Sequence, residues 1–107
     1  MENGNELFAK RLKTLRNAEG FSQKQLGISA GIDEFVASAR INRYEQAVHR
    51  ADFTITNKIA ECLNAPTSYF FTQDENIAEL LLMYHRTSTK NKKTIVKFVK
   101  ELCKPSH

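Results

Sequence analysis

Chain breakers are scarce in this sequence. Two prolines and four glycines are spread over 107 residues, so long irregular loops are expected only near the ends. No apolar run approaches the roughly 18 residues of a membrane span, which excludes a bilayer-crossing helix. The opening stretch Met1-Glu2-Asn3-Gly4-Asn5-Glu6 is polar and lacks the charged-then-apolar pattern of an export signal. The two cysteines, Cys62 and Cys103, are far apart and form no C-x-x-C pair. Reduced thiols in a cytoplasmic protein are therefore expected. There is no Walker loop, no G-x-S-x-G and no H-E-x-x-H. His49, His85, Cys62 and Cys103 lack zinc-ligand spacing. No enzyme, metal or cofactor is expected. No stretch alternates with period two, so strands are not expected either.

Helical periodicity is what remains, and it runs nearly end to end. Phe8, Leu12 and Leu15 fall at i, i+4 and i+7, predicting a first amphipathic helix that stops near Gly20. Ser22 and Gln25 form a capping box for a second helix, with Phe21 placed to staple onto Leu26. That helix should end at Gly31. A third helix is predicted over roughly Asp33 to Gln46, with Ala37, Ile41, Tyr44 and Val48 turned inward. Asp52 caps a fourth, carrying Ile55, Ile59, Cys62 and Leu63. Asn64 tolerates the left-handed turn that ends it, and Pro66 blocks continuation. Tyr69, Phe70 and Phe71 close the core with a short fifth helix. Thr72 and Glu75 make a further capping box. The helix after it carries a stripe of Ile77, Leu80, Leu81 and Tyr84, widened by Ala78, Leu82 and Met83. Ile95, Phe98, Val99 and Leu102 mark the last one. The reading is all-α: a bundle over residues 6–72 and a C-terminal helical hairpin over residues 73–104.

Charge is unevenly shared. The formal net charge is +4. From Ala51 to Met83 the only base is Lys58, against Asp52, Glu61, Asp74, Glu75 and Glu79. From Tyr84 onward Arg86, Lys90, Lys92, Lys93, Lys97, Lys100 and Lys104 face Glu101 alone. Basic ends around an acidic middle suit a polyanionic partner.

Arg11-Leu12-Lys13-Thr14-Leu15-Arg16, Gly20-Phe21-Ser22-Gln23-Lys24-Gln25-Leu26, Gly31-Ile32 and Ile41-Asn42-Arg43-Tyr44-Glu45 follow one another in order. With Ile59-Ala60-Glu61-Cys62-Leu63-Asn64, they resemble the lambda-repressor-like (Cro/C1, XRE) helix-turn-helix family over about residues 7–72. The resemblance implies a five-helix bundle, dimeric binding to double-stranded DNA and transcriptional control. It also implies roles for individual residues. Gln23 matches a phosphate-contacting position. Ser38, Ala39, Asn42 and Arg43 match the base-reading face, with Arg40 beside them for a phosphate. A guanidinium can bond guanine bidentately and an asparagine amide can do so for adenine. His49 and Arg50 fall where the family touches backbone, and Arg16 and Glu45 match a structural ion pair.

Twelve residues separate Gly31 from Tyr44, where the family usually has about eight. Either the third helix starts a turn early, capped by Asp33, or the turn before it is enlarged. Glu34 would be repelled by phosphate unless it accepts from a cytosine amine or stays out of the groove. Ala47 and Ala51 stand where the family often has Gly and Pro.

The hairpin has two open readings. Lys90, Lys93, Lys97, Lys100 and Lys104 recur at helical spacing; they form either a solvated face or a contact for DNA backbone or an acidic partner. The belt Leu80-Leu81-Leu82-Met83-Tyr84 exceeds one helix face. Pairing with a second copy is favoured over packing within one chain, with Leu80, Leu81, Met83, Tyr84, Phe98 and Leu102 as the dimerisation residues. The competing reading is an antitoxin or accessory subunit whose hairpin binds another protein.

Overall fold

The computed structural model describes residues 3–106. Met1 and Glu2, which begin the stretch read for an export signal, and His107 lie outside the described residues. All regular structure among the described residues is helical: α1 (Gly4–Ala18), α2 (Gln23–Ser29), α3 (Ala37–Glu45), α4 (Phe53–Cys62), a 3-10 helix (Thr67–Phe71), α5 (Glu75–Arg86) and α6 (Thr89–Leu102).

Local signals set most boundaries. Ser22 accepts from the Gln25 N–H while its own N–H donates to the Gln25 side chain, closing the expected capping box. Asp52 caps α4 by accepting from Ile55. Gly20, Gly31 and Asn64 all take positive φ, at 76°, 90° and 51°. Each follows a helix end, where that conformation lets the chain turn away. Ala47 also has φ 58°. A side chain with a Cβ pays for that conformation, which glycine adopts freely.

Three expectations are corrected. The third helix begins at Ala37, because Asp33 bonds the Phe35 N–H and closes a turn instead of capping a helix. Val48 is exposed, since the chain has already left α3 through Ala47. Thr72 does not cap α5: its hydroxyl donates back to the Ser68 carbonyl, and Asp74 takes the cap by accepting from Ile77. The short fifth helix is of the 3-10 type.

One apolar core joins α1 through α4, the 3-10 helix and α5. Leu12, Leu26, Ile41, Ile59, Leu63 and Phe70 are fully buried, and Phe8 and Tyr69 pack on Phe70 with ring centroids 5.6 and 5.3 Å away. α5 enters this core through Ala78 and, partly, Leu82. It is also tied at both ends. Near its start, buried Arg11 donates to the Thr72 and Gln73 carbonyls and to the Glu75 carboxylate. At its end, Arg86 donates to the Leu63 and Asn64 carbonyls and pairs with Glu19. α6 buries none of its residues. The radius of gyration is 16.1 Å, against about 13 Å for a compact chain of roughly this length. The chain is thus a bundle with an arm.

Candidate nucleic-acid interface

α2 and α3 make the tightest contact in the bundle. A Cβ on Gly27 would lie 2.7 Å from the Ala37 Cβ, so only glycine lets the helices approach this closely. Ile41 and Tyr44 hold α3 from below, and Ala37 seals its first turn. Rigid seating of this kind turns the opposite face outward as a unit.

That outward face carries Ser38, Ala39, Arg40, Asn42 and Arg43, all exposed. His49 and Arg50, on the segment that follows, are exposed as well. The structure therefore leaves all the proposed reading positions accessible on the solvent side of α3, with two further basic or titratable side chains next to it in sequence.

Beneath the face lies a polar network that fixes it to the core. Arg16 donates from Nε to Glu45 Oε2 at 2.5 Å and from Nη2 to Oε1 at 3.0 Å. Its Nη1 donates to the Phe21 carbonyl at 2.8 Å. The hydrogen bond that Arg16 donates to Glu45 raises the Arg16 pKa above its ordinary value, against the opposing effect of burial. Removing either partner would strand the other in the interior, at a cost of about 3–5 kcal/mol. The pair joins α1 to the last turn of α3.

Gln23 extends this network to the surface. Its Nε2 donates to Glu45 Oε1 at 3.1 Å and to Asn42 Oδ1 at 3.2 Å. A side-chain amide has two donor hydrogens, and both are committed. A phosphate bond from this amide would give up one of these contacts. The Gln23 amide thus links Asn42 to Glu45, and the sequence motif alone did not disclose that.

The segment before α3 supplies the other unforeseen feature. Ile32 is buried and its N–H donates to the Gly27 carbonyl at 2.9 Å. Asp33 then accepts from the Phe35 N–H at 2.8 Å, and its carbonyl accepts from Val36 at 3.0 Å. The surplus residues thus enlarge the turn. Glu34 and Phe35 form its tip, and Phe35 is 89% exposed. Fully burying a side chain of that size is worth about 1.5–3 kcal/mol, so the bundle forgoes that stabilisation here.

Elsewhere, Cys62 is half-buried and burial pushes its thiol pKa up, the opposite of an activated nucleophile. No three metal-ligating side chains gather among the described residues. No helix there is long and apolar enough to cross a membrane.

On the arm, Leu80, Met83, Phe98 and Leu102 are exposed, while Leu81 and Tyr84 are half-buried. Leu80, Leu81, Tyr84, Ile95, Val96 and Val99 line an apolar groove between α5 and α6. Lys92 lies over the Tyr84 ring, 5.7 Å from its centroid.

The crystal structure of the transcriptional regulator BswR has the same fold, with a TM-score of 0.80. The two sequences are 36% identical, over 87% of this chain and 92% of that one. No protein-family model and no curated protein matches the sequence.

Proposed function

The chain belongs to the same family as the transcriptional regulator BswR, and on that footing we propose that it is a sequence-specific regulator that binds double-stranded DNA. The observation that carries this is the face of α3: Ser38, Ala39, Arg40, Asn42 and Arg43 exposed together on a helix locked from behind by Ile41, Tyr44 and the Arg16–Glu45 pair. A helix so presented enters a major groove, where Arg43 reads guanine and Asn42 adenine. Arg40, Arg50 and His49 serve the backbone, with Gln23 at the flank. This is the lambda-repressor-like (Cro/C1, XRE) mode of reading.

The protein acts as a homodimer on a palindromic operator and represses from it in the cytoplasm. One small module covers only about 600–1,000 Å² on DNA, so a second copy supplies the missing selectivity. The exposed apolar residues of α5 and α6 support pairing through the arm, and the lysines of α6 oppose the acidic start of α5 in charge. The same surface also supports a second reading, in which a different protein docks there and DNA binding is secondary.

Selection of bound duplexes from a random pool tests the proposal. A two-fold symmetric motif is the expected result. Arg43→Ala should then cost about 1–3 kcal/mol and relax base choice at one position of each half-site. Equal binding to random and selected duplex at fixed salt would refute the assignment. Light scattering separates the two arm readings: a dimer at micromolar concentration supports self-pairing, and a monomer supports a different partner.

A further inference from the structure

Phe35 has no role in the framework of the bundle. It is 89% exposed, yet its backbone is held. The Asp33 carboxylate accepts from its N–H at 2.8 Å, and the Val36 N–H bonds the Asp33 carbonyl at 3.0 Å. Ile32 pins the start of the turn in the core and Ala37 pins its end. A large apolar ring is thus presented to solvent by a turn fastened at both sides. Three residues later comes Ser38, the first exposed position of α3. The N-terminal end of a reading helix is the part that meets base edges.

We propose that Phe35 reads a pyrimidine C5-methyl group, thymine in unmodified DNA, at the edge of the α3 footprint. The inference rests on the DNA-binding assignment and adds to it a residue that the resemblance did not supply. The chemistry matches the surface. The thymine methyl is the one apolar feature of the major-groove edge, and a phenyl ring meets it without leaving a polar group unpaired. Glu34 beside it discourages phosphate contact, so the turn tip favours the groove floor over the backbone.

Deoxyuridine supplies a clean test, because it removes only that methyl. In the duplex selected by the wild-type protein, each thymine is replaced in turn by deoxyuridine and binding is measured at fixed salt. At one position per half-site, wild-type binding should weaken about fourfold, the equivalent of one buried methyl group. Phe35→Ala should bind the two duplexes equally, and Phe35→Leu should keep most of the difference. With cytosine substituted for thymine at that position, changing it to 5-methylcytosine should strengthen wild-type binding and leave Phe35→Ala unmoved. Unchanged thermal unfolding of both variants excludes a folding effect, as expected for so exposed a side chain.

Specific binding with no uracil penalty anywhere, or a penalty that persists in Phe35→Ala, overturns the methyl-reading role while leaving the regulator assignment intact. An equal loss in Phe35→Ala on all duplexes also overturns it, by making Phe35 a general or protein contact. Failure to select any duplex overturns the regulator assignment and this inference with it.

Discussion

α3 and α6 look alike as sequences and behave differently as structures. Each has an apolar stripe and a polar, basic face. α3 buries Ala37, Ile41 and Tyr44 almost completely. α6 buries nothing, and Phe98, Val99 and Leu102 stand exposed on its apolar side. Amphipathic spacing says that a helix has something to hide; it does not say whether the cover comes from the same chain. In α3 the cover is α1 and α2. In α6 only α5 lends partial cover, at Ile95, and the rest of the apolar side has none among the described residues.

The largest expected effect tests that contrast directly. Ile41→Ala should cost about 2–5 kcal/mol, because it opens a cavity in a filled core. Val99→Ala should leave monomer stability nearly unchanged, by urea denaturation at low concentration, and weaken self-association instead. Equal losses for the two would abolish the distinction. A smaller effect is expected at the seat of α3. Gly27→Ala forces a methyl group against Ala37 and should destabilise by about 1–3 kcal/mol, measured the same way. Ala47→Gly should go in the opposite direction. Relief of a positive φ there should stabilise the bundle by roughly 0.5–1 kcal/mol and leave the arm unaffected.

The smallest effect lies at the junction between bundle and arm. The hydrogen bond from Arg11, and then its charge, hold the Glu75 carboxyl below the ordinary carboxylate range. A depressed pKa adds stability at pH values above that range and loses it as pH falls through the depressed value. Solvent exposure of Glu75 keeps the effect slight. NMR titration of the carboxyl should show its midpoint return toward the ordinary range in Arg11→Met.

Much of the bundle was readable because its determinants are local. Ser22 with Gln25, Asp52, Gly20, Gly31 and Asn64 each act on a backbone within a few residues of themselves. The misreadings arose where one residue type has two local uses. Asp33 can cap a helix or close a turn, and both rest on its carboxylate accepting a nearby N–H. Thr72 lost the α5 cap to Asp74 for a similar reason. Arg11 and Arg86 were silent because their partners lie 61 to 64 and 22 to 67 positions away. The exposed positions of α3 were legible from its helical spacing. The bond from Gln23 to Asn42 was not, since it depends on how α2 and α3 cross.

The two arginine ties on α5 set how tolerant the proposed dimer can be of its target. With both ends of the helix laced to the bundle, each copy of α3 in that proposed dimer would keep a fixed angle to a seam on α5. Adding one base pair between half-sites rotates one of them by about 34–36° around the duplex axis. A protein with slack hinges would swivel to follow. The proposed dimer has little such play, so it is expected to act as a gauge, accepting one helical phase and refusing its neighbours.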